Sequence, residues 1–292
     1  MDNRRVIHKR QARLDNRRAG LGRVSQLRAS GDATGVIRPE AEVRFAAGLR
    51  FFLAARHRDG QVRVACDGVS SLGHVVESLG VPLPEVGRLV VNGAPVMPSC
   101  RLAAGDVAEA AAVGRPQRLP SARFILDVHL GTLARRLRLV GVDAAYANDL
   151  DDEVLIERAN AGRRALLTQD RGLLRRRRLW LGAYVRGARP DDQLRDVLDR
   201  FGPPLAPWTR CTACNGRLAA VRKADVEPLL PPGTRRTYQA FSRCADCGRV
   251  YWHGAHGTRL DDIVEVAIHT VAASRARAGQ RRPAPSRQEC SR

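Results

Sequence analysis

Between residues 123 and 178 the spacing of apolar positions alternates between that of buried strands and that of amphipathic helices. Residues 123–127 form a short apolar run closed by a carboxylate, which predicts a buried strand. Apolar positions then recur at helical spacing over residues 130–140, and Gly141 is a plausible helix end. On this pattern three arginines fall on the opposite, polar face of the helix: Arg135, Arg136 and Arg138.

Two more strands follow at residues 144–147 and 165–168. Between them, the acidic segment 148–153 offers an N-cap for a helix that runs through Ala159. Strands that alternate with helices in this way predict a parallel sheet. The same pattern continues with a short helix at 171–178, a strand at 180–185 and a helix at 190–201.

The flanking regions have other patterns. Residues 41–113 predict a small mixed sheet with one helix, in which Asn92-Gly93 marks a hairpin turn. Its strands are predicted at 42–45, 61–65, 87–91 and 107–111, and its helix at 72–79.

The predicted organisation has five parts and a linker at 114–120. They are a disordered basic extension (1–40), the mixed-sheet domain (41–113), an α/β domain (121–205), a cysteine-containing unit with a C-terminal helix (206–272) and a disordered basic tail (273–292). Within the fourth part, residues 226–232 are expected to be an extended loop and residues 259–271 a helix.

The net charge of +20 on 292 residues favours a polyanionic partner. Residues 1–40 carry ten Lys or Arg against four Asp or Glu, and residues 273–292 carry six against one. About nine positive charges therefore remain on the predicted folded part, so nucleic acid is the leading partner class. No apolar run is long enough to cross a membrane and no secretory signal precedes the first domain, which predicts a cytoplasmic protein.

Carboxylates follow the predicted strands of the α/β domain at Asp127, at Asp149 or Asp152, and at Asp170. Because the carboxyl ends of parallel strands share one edge of a sheet, these side chains are expected to lie close together. Carboxylate oxygens suit Mg²⁺ or Mn²⁺, which can activate water for phosphodiester hydrolysis. In the competing interpretation each aspartate is only a helix cap.

Cys211-x-x-Cys214 and Cys244-x-x-Cys247 are separated by 29 residues, and a glycine follows each pair closely. Four thiolates at this spacing predict a tetrahedral, structural Zn²⁺ site without an open coordination position, and a redox dithiol or a disulfide is the alternative.

The sequences FILDVHLGTLARRLRLVGVDA, NDLDDEVL and RALLTQDRGLL, followed by the two CxxC motifs, resemble the Mut-seven C-terminal RNase domain family. The resemblance implies a PIN-like domain with a zinc ribbon, preceded by a ubiquitin-like β-grasp domain, and a metal-dependent ribonuclease activity. The acidic positions that it implies are Asp127, Asp149, Asp152 and Asp170, with Asp151 or Glu153 as other candidates for the middle one. Asp127 and Asp170 are the metal ligands expected from it. Gln169 stands where the family more often has arginine.

Substrate contacts are assigned to arginines near the acidic positions: Arg135, Arg171 and Arg175. An RNA-binding adaptor that uses the zinc ribbon and the arginines without catalysis is the main alternative, and a sulfur-transfer accessory protein is a weaker one. The β-grasp domain could bind a protein partner. The oligomeric state is left open.

Overall fold

The computed structural model describes residues 39–254 and 257–280. Of the predicted basic extension, all but the last two residues lie outside this part of the chain, and so do residues 281–292 of the predicted tail. Among the described helices, none combines the length and the apolar character needed to span a bilayer.

The first domain is a five-stranded mixed sheet covered on one face by a helix. Its strands are β1 (Glu40–Phe45), β2 (Gln61–Ala65), β3 (Val86–Val91), β4 (Ala94–Val96) and β5 (Val107–Ala112). They lie in the order β2-β1-β5-β3-β4, in which β1 and β5 are parallel and the other pairs are antiparallel. Helix α1 (Leu72–Ser78) packs with Val43, Phe45 and Leu49 in one apolar core. The predicted β-grasp domain is confirmed.

The second domain is a parallel sheet between two helical layers. Its strands are β6 (Arg123–Leu126), β7 (Asp143–Tyr146), β8 (Ala165–Thr168) and β9 (Gly182–Tyr184), in the order β7-β6-β8-β9. Its helices are α2 (Gly131–Leu139), α3 (Asp152–Ala161), α4 (Arg171–Leu174) and α5 (Pro190–Phe201). The predicted α/β class with a parallel sheet is confirmed.

Alternate side chains of β6 and β8 pack into two different apolar cores, one on each face of the sheet. Phe124 and Leu126 pack with α2 and α5, whereas Ile125 and Leu166 pack with α3 and with Leu173 of α4. The prediction that residues 171–178 form one helix was wrong, since α4 ends at Leu174. Four consecutive arginines follow it, and like charges three residues apart oppose further helix.

The third unit is a three-stranded antiparallel ribbon, with the order β10-β11-β12, that carries the four cysteines. Its elements are β10 (Leu218–Val221), α6 (Lys223–Val226), α7 (Pro232–Thr237), β11 (Phe241–Cys244) and β12 (Val250–Tyr251). The predicted extended loop at 226–232 was wrong. A 3-10 turn occupies Glu227–Leu229, and Pro228 and Pro232 lie in first helical turns, where the missing N–H costs nothing.

Helix α8 (Gly257–Gln280) is longer than predicted and packs on α5 through Val264, Ala267 and Val271. Its last turns contradict the expected disorder from residue 273 onward. Ser274 is fully buried, and its hydroxyl donates to the carbonyl of Asp199 over 2.7 Å. Alanine and arginine are good helix formers, so this segment continues the helix once one side is packed.

The β-grasp domain and the α/β domain share a buried ion pair. Arg200 Nη1 of α5 lies 2.6 Å from Glu85 Oε1, and each side chain is only 1% exposed. The same glutamate oxygen accepts the amide of Tyr184 over 2.8 Å. The predicted linker at 114–120 is also fastened to α5, because Arg115 pairs with Asp196 at 2.7 Å. The two domains are therefore not joined by a loose tether.

Candidate functional site

The strand order places the switch point of the sheet between the carboxyl ends of β6 and β8. The chain leaves β6 toward α2 on one face of the sheet and leaves β8 toward α4 on the other. Such a switch in direction opens a gap above the strand ends, and ligands of open α/β sheets bind there.

Asp127 and Asp170 meet at this gap through one hydroxyl group. Thr168 Oγ1 donates to Asp127 Oδ2 over 2.6 Å, and the amide of Asp170 donates to the same Oγ1 over 2.8 Å. Asp127 is 7% exposed and Thr168 is fully buried, whereas Asp170 is exposed. The prediction that β6 and β8 deliver these two aspartates to one rim is therefore consistent with the structure.

Asp170 also caps α4, as the competing interpretation expected. Its Oδ1 accepts the amides of Gly172 at 2.6 Å and Leu173 at 3.4 Å, and these bonds leave Oδ2 without a capping role. Asp127 precedes a 3-10 turn at Val128–Leu130, but its side chain makes no capping bond there. The two aspartates thus differ, since only Asp170 serves a helix terminus.

The middle acidic residues are exposed on the segment between β7 and the first turn of α3. Asp149 and Asp152 do not join the other two in a compact ligand set: in the described ranges, only the cysteines form a group of three or more metal-ligating side chains within 4.8 Å. Glu153 is engaged elsewhere, at 3.8 Å from Arg176 and 3.5 Å from Arg178. The expected cluster of three or four carboxylates is reduced to a pair.

The three arginines assigned to substrate have different surroundings. Arg135 and Arg175 are exposed. Arg171 is used in the domain contact: its Nη1 donates to the carbonyl of Phe52 over 2.8 Å, and its guanidinium lies 5.1 Å from the Phe52 ring centre. This contact ties the Arg171 guanidinium to the β-grasp domain, and its role in holding substrate stays a prediction. Gln169 donates from Nε2 to two backbone carbonyls beyond β9, so its amide secures a loop.

The four predicted cysteine ligands converge at the base of the ribbon. The Sγ atoms of Cys211 and Cys247 are 3.6 Å apart and those of Cys214 and Cys244 are 3.4 Å apart, while all four lie within 4.8 Å. Zn–S bonds of about 2.3 Å at tetrahedral angles place sulfurs about 3.8 Å apart, so the geometry fits Zn²⁺. Gly216 is required here because a Cβ on it would lie 2.7 Å from Cys244 Sγ.

The cysteine thiols of this cluster differ in pKa. Burial opposes ionisation of Cys211, but hydrogen bonds from Tyr251 and from backbone amides outweigh it and lower its pKa to about 6. Burial and the neighbouring thiols raise the pKa of Cys214 to about 12. A bound cation would stabilise all four thiolates together.

The ribbon is seated on the α/β domain by residues whose role the sequence did not reveal. Arg138 was expected on a solvent-facing side of α2 but is 2% exposed, and that expectation was wrong. Its guanidinium donates to the carbonyls of Ala144, Thr212 and Ala213 at 2.8 to 3.1 Å. Asn215, with a left-handed φ of 77°, accepts the amide of Ala144 at 3.0 Å.

Asp143 completes this junction between β7 and the first cysteine knuckle. Its carboxylate lies 2.5 Å from Arg164 Nη1, 3.4 Å from Arg210 Nη2 and 2.9 Å from Asn215 Nδ2. Burial raises the pKa of Asp143, but these hydrogen bonds and charges outweigh it and hold the pKa below its usual range. Nothing local in the sequence marked these contacts, since the partners lie more than twenty residues apart.

These features define a protein in which a β-grasp domain is fixed to a parallel α/β domain that has an acidic rim and a four-cysteine ribbon. The Mut7-C RNAse domain model matches residues 122–264, and the Mut7-C ubiquitin model matches residues 38–118. Together they account for about three quarters of the chain. The chain therefore belongs to the Mut7-C RNAse domain family, with the family's ubiquitin-like domain in front. No curated protein and no solved structure matches the chain significantly.

Proposed function

We propose that the chain is a ribonuclease that hydrolyses RNA phosphodiester bonds at the rim between β6 and β8, with Asp127 and Asp170 as ligands of Mg²⁺ or Mn²⁺. The observation that carries the proposal is the convergence of both carboxylates on Thr168 at the switch point of the sheet. The match to an RNAse domain supports the substrate class.

The surroundings of Asp127 fit a hard cation. This carboxylate is nearly buried, yet within the described residues no arginine, lysine or histidine forms an ion pair with it, although the chain has fifty Lys and Arg. A buried carboxylate without a charged partner is costly, and a bound divalent ion would offset that cost. Asp170 Oδ2 is available beside it, and such ions keep several waters in addition to one or two carboxylates.

When bound, the ion would neutralise charge on the phosphate and lower the pKa of water. The chain's own residues orient the site. Thr168 fixes the Asp127 carboxylate by its hydrogen bond, and α4 fixes the Asp170 carboxylate through the amides of Gly172 and Leu173. We assign Asp149 or Asp152 to the third acidic position, acting through water, and Arg135 and Arg175 to the phosphates of the substrate.

The cysteines have a separate task in this proposal. Zn²⁺ bound by Cys211, Cys214, Cys244 and Cys247 would hold the ribbon in shape, since four protein ligands leave no position for substrate. The ribonuclease and zinc proposals are independent, and each has its own test.

Asp127→Asn should abolish divalent-ion-dependent cleavage of labelled single-stranded RNA while the circular dichroism spectrum is unchanged. Asp225→Asn, which alters an exposed carboxylate of the ribbon, is the matched control and should cleave like the parent. Thr168→Val should weaken cleavage because it frees the Asp127 carboxylate to rotate. Equal cleavage by Asp127→Asn and the parent would remove the rim from the reaction.

An RNA-binding adaptor without catalysis is the second candidate, and the capping bonds of Asp170 favour it. In that case RNA should bind with the same affinity with and without added Mn²⁺, and no RNA should be consumed in either condition. Cleavage that depends on Mg²⁺ or Mn²⁺ and on Asp127 excludes the adaptor.

A further inference from the structure

An open cleft with an exposed tryptophan lies away from the rim, at the opposite end of the parallel sheet. Asn160 and Arg163 precede β8 and Trp180 precedes β9, so all three lie where those strands begin. They line a cleft of about 480 Å³, which we call the Trp180 cleft. The rim with Asp127 and Asp170 lies where β6 and β8 end, so cleft and rim occupy opposite ends of the sheet.

Trp180 is presented to solvent by a specific backbone arrangement. It is 45% exposed, although burial of an indole ring is strongly favourable. Asn160 Oδ1 accepts the amide of Trp180 over 2.9 Å, and Asn160 Nδ2 donates to the carbonyl of Arg178 over 2.6 Å. The side chain of one residue therefore holds the segment 178–180 in place and leaves the ring at the surface.

The segment from Asp170 to Trp180 connects the rim to the cleft and is strongly basic. Residues 175–178 are four exposed arginines, and Arg163 beside Trp180 is exposed as well. Two of the run pair with glutamates of α3: Arg176 with Glu153, and Arg178 with Glu153 and Glu157. Within the described part of the chain, Arg163, Arg175 and Arg177 have no carboxylate partner.

We propose that this surface is a binding site for single-stranded RNA: an unpaired base stacks on Trp180, and the neighbouring phosphates lie along Arg163, Arg175 and Arg177. The positive charge favours a polyanion over a protein partner. Base stacking on an exposed aromatic beside an arginine track is how unpaired strands are held without reading their sequence. The proposal deepens the proposed function, because it supplies the substrate with a second point of attachment outside the reacting atoms.

The test compares binding of a fluorescently labelled single-stranded RNA in buffer without Mg²⁺ or Mn²⁺, so that affinity is measured without cleavage and the zinc site stays intact. Trp180→Ala should weaken binding on the order of tenfold, and Trp180→Phe should recover most of the loss. Trp252→Ala removes an aromatic of similar exposure from the ribbon and should leave binding unchanged. A trinucleotide, too short to span rim and cleft, should bind the parent more weakly than the long RNA does and should still lose affinity in Trp180→Ala.

The arginines are tested through salt dependence. Arg163→Gln/Arg177→Gln should reduce the slope of log K against log salt by about 1.4, because each single-strand phosphate contact contributes about 0.7. The control Arg88→Gln/Arg101→Gln alters two exposed arginines of the β-grasp domain and should keep the parent slope.

The outcomes separate this site from the ribonuclease proposal. With Mn²⁺, Trp180→Ala should raise the KM for RNA with little change in kcat, whereas Asp127→Asn should lose kcat and keep Trp180-dependent binding. Parent-like affinity in both Trp180→Ala and Trp180→Phe would overturn the binding site and leave the rim untouched. Loss of affinity in Trp180→Ala together with full cleavage by Asp127→Asn would support the site and refute the proposed reaction.

Discussion

The buried pair between Glu85 and Arg200 gives the most quantitative prediction about stability. Both side chains are 1% exposed, and the guanidinium also donates to Gln117 Oε1 at 2.9 Å. Removing the cation by Arg200→Met leaves the buried Glu85 carboxylate without its ion-pair partner, and among the described residues the amide of Tyr184 is its remaining donor. Breaking one partner of such a pair costs about 3–5 kcal/mol, a large share of the about 5–15 kcal/mol that stabilises a protein.

The same substitution elsewhere on α5 is the control. Arg195→Met removes an exposed arginine that lies 3.4 Å from Asp192, and exposed pairs of this kind contribute up to about 1 kcal/mol. The double variant Glu85→Gln/Arg200→Met removes both charges and should recover part of the loss, because the two residues act as one unit. Burial lowers the pKa of Arg200, and Glu85 partly offsets this, but the group stays charged at neutral pH.

Equilibrium urea unfolding of the full chain, followed by circular dichroism and by tryptophan fluorescence, measures the effect. Arg200→Met should lower the midpoint strongly, and its thermal midpoint should fall by about 6–20 °C. Because the pair joins the β-grasp domain to the α/β domain, the two probes should separate into distinct transitions in this variant. A loss no larger than that of Arg195→Met, or no recovery in the double variant, would refute the reasoning.

Three further predictions concern the ribbon. Arg138→Met leaves three backbone carbonyls without their donor and should cost about 2–3 kcal/mol in urea unfolding, whereas Arg135→Met on the exposed side of α2 should cost little. The pKa of Asp143 is lower in the folded state, so its carboxylate contributes fully to the free energy of unfolding above its unfolded pKa of about 3.9, and this contribution is lost as the pH falls. Asp143→Asn should therefore make the free energy of unfolding less dependent on pH below about pH 4. Cys247→Ser should release the zinc measured by elemental analysis, and the parent should lose the ribbon's circular dichroism signal when treated with a strong chelator.

Local pattern was sufficient for the parallel sheet and for the positions of Asp127 and Asp170. Buried runs such as 165–168 have one interpretation once helices flank them, and parallel strands bring their carboxyl ends to one edge. The cysteine spacing likewise predicted the convergence of four sulfurs, since two short knuckles leave few other arrangements.

Two arginine contacts that the sequence did not predict have a common physical cause. A helical pattern places Arg138 on the polar side of α2, but the carbonyls that bury it belong to Thr212 and Ala213, more than seventy residues later. Arg171 follows a candidate ligand in sequence, yet its partner Phe52 lies 119 residues earlier. In both cases a long arginine side chain found acceptors on another domain, and no local property of the chain specifies such a partner.

The contact of the ribbon with Ala144 has a consequence for aggregation of the protein. Strand β7 is one of the two edge strands of the parallel sheet, and Asn215 and Arg138 bond to its outward amide and carbonyl at Ala144. An uncovered strand of this kind is a template for pairing with other chains. Loss of zinc would therefore affect more than the metal site. Without the ribbon the outward edge of β7 would be exposed, and the protein would be expected to aggregate.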